Sequence, residues 1–227
     1  MAKLNSQKQF AWVPATDNQR RLRTLILEKQ VTFVCGPPGT GKTFVSVMTA
    51  LELLNRNIKD GGVDKIIAVR PIVTAGKPLG YFPGDLDQKV DPYMQAIYDT
   101  IIKSDHPKTQ ALLDRDGLMV TPLEVSRGLT FDDAYALLDE AQNTTVSQME
   151  LFLTRLGPNS KAVISGDLHQ KDFAGIDGLS HAIKLFSHDD AFGIVHLTID
   201  DIQRAGIVRK IVLAYAADRE EKHLKVA

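Results

Sequence analysis

The sequence predicts an α/β domain with an open, mostly parallel β-sheet and helices on both faces. Three observations predict it. The short apolar run Val31–Cys35 passes directly into a glycine-rich turn and then a helical stretch. A second apolar run, Ala134–Leu138, ends in two adjacent carboxylates, Asp139 and Glu140. Between and beyond them, short β-branched runs alternate with helix-length segments, as in successive βαβ units.

Composition sets the bounds. The 227 residues are 44% hydrophobic and 24% charged, ordinary for a globular chain and enough for one sizeable core. A formal net charge of −1 gives no overall positive field, so nucleic-acid binding would need a local patch. The single cysteine, Cys35, excludes an internal disulfide framework and a cysteine metal cluster. The first fifteen residues are mixed polar without an apolar signal core, and no run has the length of a membrane span. The expectation is a cytoplasmic protein without membrane association: residues 1–15 an arm, 16–217 the domain, 218–227 a charged tail.

Thr16-Asp17-Asn18-Gln19 opens a helix that runs to about Lys29. Thr16 and Gln19 have the spacing of a capping box, which is one reading of Gln19. The other is an adenine contact, because an amide both donates to and accepts from the ring edge. After the strand Val31–Cys35 comes Gly36-Pro37-Pro38-Gly39-Thr40-Gly41-Lys42-Thr43, which satisfies G-x-x-x-x-G-K-[ST]. Its glycines let backbone N–H groups converge on phosphate oxygens. Lys42 is a point charge for the β- and γ-phosphates, and the Thr43 hydroxyl is placed to ligate Mg²⁺. The residues from Phe44 to Asn55 form a helix whose N-terminus faces those phosphates. The pattern points to a nucleoside triphosphate with Mg²⁺ as cofactor.

Lys65–Arg70 is the second buried strand, and a right-handed crossover joins it to the first. Residues 71–92 are rich in proline and glycine and too long for a simple connection. Arg70, Lys77, Tyr81 and Phe82 are candidate contacts there, either to nucleic acid or to a neighbouring subunit. The alternative is a loop pinned by its own buried aromatics. Asp91-Pro92 starts a helix with Ile97, Ile101 and Ile102 on its apolar face, and residues 108–113 suit another helical turn. Gly117–Thr121 is a third strand. Arg127, in the polar turn that follows, is either a phosphate or nucleic-acid contact or a plain surface arginine.

The fourth strand delivers Asp139 and Glu140 to its carboxyl end, where open α/β sheets bind ligands. Asp139 is expected to hold Mg²⁺ through water and Glu140 to orient and deprotonate an attacking water. An acidic helix start is the alternative. Thr145 and Gln148 suit a capping box for a helix that stops at Gly157-Pro158. The fifth strand, Lys161–Ser165, leads into Gly166-Asp167-Leu168-His169-Gln170, where the Gln170 amide is placed to sense the γ-phosphate. A helix over 179–186 and a strand over 192–197 follow. Arg204 either faces the γ-phosphate in the transition state or forms an ion pair with Asp200 or Asp201. A last helix, 206–220, is expected to close the domain with Ile207, Ile211, Val212 and Tyr215.

Gly36 to Thr43, Arg70-Pro71 with Gly80-Tyr81-Phe82-Pro83-Gly84-Asp85, Asp139-Glu140-Ala141-Gln142-Asn143-Thr144, Leu153-Thr154-Arg155-Leu156-Gly157 and Gly166-Asp167-x-x-Gln170 together resemble the PhoH family. The resemblance runs from about Thr16 to Ala217, and the short form is similar to versions found in bacteriophages. It implies a RecA-like P-loop ATPase domain similar to the first motor domain of superfamily-one helicases. It also implies that Gln19 contacts adenine, Gln170 senses phosphate and Arg204 faces phosphate. The sequence departs from the family at Lys77, where an acid is common, and at Ala205, where a histidine is.

The functional expectation is therefore a Mg²⁺-dependent ATPase, related to helicase motor cores, that acts on or with single-stranded nucleic acid, RNA foremost. Helicase engines close this cleft between two such domains. One domain here implies a homo-oligomer whose neighbour supplies the other wall, and the resemblance favours a hexameric ring. The alternative is a regulatory protein that uses ATP state as a switch without unwinding. A small-molecule kinase ranks third, because the long loop is poor in lid arginines and Glu140 beside Asp139 suits water.

Overall fold

The computed structural model describes residues 12–71, 97–104, 109, 112, 117–170, 175–204 and 206–224. Lys77, Tyr81 and Phe82 lie outside them, with nearly all of the loop they belong to. Six strands form one sheet: β1 (Val31–Cys35), β2 (Lys65–Arg70), β3 (Leu118–Pro122), β4 (Ala134–Leu138), β5 (Lys161–Gly166) and β6 (Phe192–His196). Their order is β3-β2-β4-β5-β1-β6, and every neighbouring pair is parallel. The sheet expected to be mostly parallel is thus parallel throughout its described strands, and all six carboxyl ends share one edge.

Why these runs become central strands follows from burial on two faces. β1 and β4 are buried at every position, as predominantly apolar strands covered on both faces are. The outer strands are wetter: β6 alternates in burial, and β3 is buried only at its last two positions. Alternate residues feed two cores. Val34, Ile66, Ala68, Leu137 and Val163 pack under α1 (Asp17–Glu28) and α2 (Lys42–Leu53). Phe33, Ile67, Ala136, Leu138 and Ile164 pack under α3 (Val146–Leu153) and α4 (Gly178–Phe186). Helices cover both faces, as expected.

One buried polar link crosses the first core. Tyr135 of β4 is fully buried, and its hydroxyl donates to the Ser46 carbonyl of α2 at 2.8 Å. Burial leaves the phenol well above its ordinary pKa, against the opposing effect of the Ser46 bond. The Ser46 hydroxyl in turn donates to the Lys42 carbonyl at 2.8 Å.

The C-terminal helix α5 (Gly206–Leu224) departs from expectation in two ways. It continues four residues past Glu220, and the residues expected to seal the core stay outside. Ile207 is 63% exposed, Ile211 49% and Tyr215 64%. A 3.6-residue apolar stripe reports amphipathicity and does not name the surface it covers. Among the described residues no helix is long and apolar enough to cross a membrane.

Candidate functional site

The sheet order brings three loops together. β5 lies between β1 and β4, so the turn after β1, the carboxylates after β4 and residues 166–170 after β5 adjoin at one edge. They border a cleft of about 650 Å³ that also contains Gln19, Phe44, Arg70, Gln203 and Arg204.

The turn after β1 is a cradle of backbone. Gly39 and Gly41 have φ of +81° and +85°, a region that β-carbon-bearing residues rarely enter. Gly41 is the residue before α2, whose first turn therefore aims its unpaired N–H groups into the cleft. The Lys42 ammonium donates to the carbonyls of Gly36 at 2.7 Å and Pro37 at 3.0 Å. Burial lowers its pKa, while the charges of Asp167, Asp139 and Glu140 work to raise it. A cation held this way by carbonyl dipoles is poised for a stronger anionic partner. Cys35, just before the cradle, is buried, and its thiol is pushed up to about 12, so it packs and does not react.

Opposite, the carboxylates are held by side chains. Asp139 is 3% exposed, and its Oδ1 accepts from the Thr43 hydroxyl at 3.2 Å. Arg70 bridges the pair, 3.1 Å from Asp139 Oδ2 and 3.2 Å from Glu140 Oε1. Glu140 has a left-handed backbone, φ 54° and ψ 38°, which costs a glutamate roughly 1–2 kcal/mol. Its side chain is nearly half exposed to the cleft. Gln142 holds the other carboxylate oxygen, donating from Nε2 to Glu140 Oε2 at 2.6 Å. The same amide accepts the Asp167 N–H at 3.0 Å, tying the turn after β4 to the turn after β5. Gly166 permits this approach, since a β-carbon there would stand 2.6 Å from Gln142 Oε1. Gln170 lines the cleft from the same turn, exposed, with its backbone N–H on the Asp167 carbonyl.

The third wall comes from both ends of the chain. Gln19 is 3% exposed. Its Oε1 accepts the Ala15 N–H at 2.9 Å and its Nε2 donates to the Thr40 carbonyl at 2.9 Å. The capping half expected of Thr16 is present, since its hydroxyl accepts the Gln19 N–H. The reciprocal half is not, because the Gln19 amide reaches the cradle instead. One donor hydrogen and one acceptor lone pair of that amide remain for a ligand. Val13, Ala15 and Phe44 border the same corner, and Trp12 packs edge-on against Phe44 with Arg23 over its face. Arg204 lies along the cradle: its stem comes within 3.3 Å of a β-carbon built on Gly39. The ion pair weighed for it is taken by others. Asp200 pairs with Arg209 at 2.6 Å, and Asp201 is occupied by Thr16, Asn18 and Thr198.

Of the candidate polymer or subunit contacts within the described residues, Arg70 is in the cleft on the two carboxylates. Arg127 is exposed and stands outside the cleft lining. Sequence reasoning missed Gln142, Asp167, Phe44, Gln203 and residues 12–15 as site members. The Gln142 position two residues past Glu140 was the available signal for one of them.

A divalent cation fits this donor set. Among the described residues no three His, Cys, Asp or Glu side chains converge. The hard oxygens of Thr43 and Asp139 do, which suits Mg²⁺, an ion that completes its shell with water and phosphate oxygens.

A family model described as PhoH-like protein matches residues 12–216. The chain is 42% identical over 205 residues to a PhoH-like protein of Bacillus subtilis, covering 88% of this chain and 62% of that one. It is 37% identical over 206 residues to Protein PhoH of Escherichia coli K12, covering 88% and 57%. The chain thus spans about three fifths of the length of these curated relatives. Among solved structures, the Pif1 helicase from Candida albicans superposes with a TM-score of 0.41 at 12% identity, covering 82% of this chain and 40% of that one.

Proposed function

The chain belongs to the PhoH family, and from that premise we propose that it is a Mg²⁺-dependent ATPase acting on or with single-stranded nucleic acid, RNA foremost. The observation that carries the reading is the meeting of Thr43 and Asp139 at 3.2 Å, with Lys42 beside them and Glu140 next in the chain. Thr43 and Asp139 would hold Mg²⁺, and when bound it neutralises charge on the β- and γ-phosphates.

The chain's own residues do the rest. Lys42 leaves the Gly36 and Pro37 carbonyls for the phosphates, and the N–H groups of the cradle take their remaining oxygens. Glu140 removes the proton of the attacking water, with Gln142 fixing the carboxylate's direction and Arg70 moderating its charge. Arg204 meets the negative charge that develops on the transferred phosphoryl group, and Gln170 registers its departure. Gln19 uses its remaining donor and acceptor on the adenine edge. Phe44, Gln170 and Arg204 border the cleft while remaining exposed, which supports a second wall from a neighbouring subunit. The family resemblance favours a hexameric ring for that assembly.

A second reading is an ATP-state switch without strand movement. Arg70 favours it, because a side chain bound to both carboxylates is engaged in the cleft and not on a polymer. One experiment separates them: ATP turnover by the full chain with and without single-stranded RNA, single-stranded DNA and duplex, with molecular mass measured in parallel. Stimulation by single strands, falling as salt rises, and a mass of about six chains are expected. Turnover unaffected by any nucleic acid supports the switch, and absence of turnover rejects both.

A further inference from the structure

A buried carboxylate outside the reaction centre gathers the two segments that grip the cradle. Asp201 is 2% exposed. Its Oδ2 accepts from Asn18 Nδ2 at 2.9 Å, from the Thr198 N–H at 2.7 Å and, longer, from the Thr198 hydroxyl at 3.3 Å. Its Oδ1 accepts from the Thr16 hydroxyl. That hydroxyl oxygen accepts the Gln19 N–H in turn, so its one hydrogen is committed to Asp201. One carboxylate therefore joins the start of α1 to the 198–201 turn, segments more than 180 residues apart in sequence.

Each segment then reaches the cradle, at adjacent peptide groups. From α1, Gln19 Nε2 donates to the Thr40 carbonyl at 2.9 Å. From the other segment, the Gln203 N–H donates to the Gly39 carbonyl at 3.1 Å, and the Arg204 stem lies against Gly39. In a planar trans peptide the C=O of one residue points opposite to the N–H of the next. Fixing the Gly39 carbonyl therefore fixes the Thr40 N–H, and fixing the Thr40 carbonyl fixes the Gly41 N–H. The Thr40 and Gly41 N–H groups are thus oriented by groups that share one anchor.

We propose that Asp201 is a positioning residue for the nucleotide: it locks α1 to the 198–204 segment, so that Gln19 and Gln203 orient the Thr40 and Gly41 N–H groups while Gln19 and Arg204 are presented in a fixed relation. This rests on the ATPase reading above. It assigns Asp201 no contact with substrate. Burial raises the carboxyl's pKa, and the bonds from Thr16, Thr198 and Asn18 more than offset that, leaving it lowered, as a carboxylate committed to its charged form requires.

The test uses Asp201→Leu and Asn18→Ala in the full chain. Leucine keeps the branched shape but removes both acceptors, whereas an asparagine could turn its oxygen to Asn18 and Thr198 and its NH2 to the Thr16 hydroxyl oxygen and keep every bond. ATP KM should rise about tenfold in Asp201→Leu and about threefold in Asn18→Ala, with kcat reduced less. The preference for ATP over GTP should fall in both, because Gln19 is released. A purely structural role would lower the active fraction, counted by tight-binding analogue titration, and leave KM and the ATP:GTP ratio of the remaining enzyme unchanged. That result overturns the proposal. If Asp201→Leu does not fold, Asn18→Ala decides alone. If the parent chain neither binds nor hydrolyses ATP, the ATPase reading fails and takes this proposal with it. A working parent with unaltered variants rejects this proposal only.

Discussion

The two sides of the cleft are built from different materials. On the β1 side, the gripping bonds end on backbone carbonyls: Lys42 on Gly36 and Pro37, Gln19 on Thr40, Gln203 on Gly39. On the β4 side, side chains bind side chains: Thr43 and Arg70 on Asp139, Arg70 and Gln142 on Glu140. A carbonyl has no proton to lose in the working range, so the first side holds a shape. A carboxylate carries charge and accepts protons, so the second side holds a reactivity. The difference predicts that damage to one side appears in nucleotide affinity and damage to the other in turnover.

The largest expected effect blurs that division. Lys42 belongs to the cradle but, in the mechanism proposed above, meets charge in the transition state, so Lys42→Ala should lower kcat/KM by roughly 10³-fold or more. An unchanged steady-state rate would remove the cradle from the chemistry. Next, Glu140→Gln should lower kcat by about 10²–10³-fold while a fluorescent ATP analogue still binds. Phosphate release at the parent rate would show that another group takes the proton. Smaller still, Gln142→Leu should reduce kcat by about tenfold with KM held, since it loses the aim of Glu140 and the bond to the Asp167 N–H but no cradle contact. A KM change instead would mean that the two sides are one network.

The smallest effect concerns stability and acid. The folded-state pKa of Asp201 lies below its ordinary value, so its contribution is fully present above the unfolded value, about 3.9. It is lost as pH falls through the lowered folded value. The stability gap between the parent and Asp201→Asn, from urea unfolding, should be constant above about pH 5 and narrow below about pH 4. A gap that stays constant in acid would mean that the carboxylate is not held in its charged form.

Much of this site is legible in the chain because its motifs are local. Gly36 to Thr43 and Asp139-Glu140 each follow a fully buried, largely apolar strand, and their relation to the sheet edge follows from parallel order alone. Arg70 was harder. Its place at the end of β2 is readable, but its direction depends on β2 lying beside β4, which no spacing within 65–70 records. Gln19 was half legible: the cap with Thr16 is a spacing rule, whereas its amide bond to Thr40 is a contact between separate elements. Residues 12–15 carry no period and no motif, so their place at the cleft rim was hidden. The stripe Ile207, Ile211 and Tyr215 was read correctly as helical but not as exposed, because amphipathicity leaves the partner unspecified.

The Tyr135 hydroxyl on the Ser46 carbonyl has a mechanical meaning. Together with Thr43 on Asp139, it fastens α2 to β4 at two successive turns of the helix. Cradle and carboxylates are thus joined into one wedge. On the ATPase reading proposed above, movement after hydrolysis is expected outside that wedge, in Gln170 and in the stretch that carries Arg204.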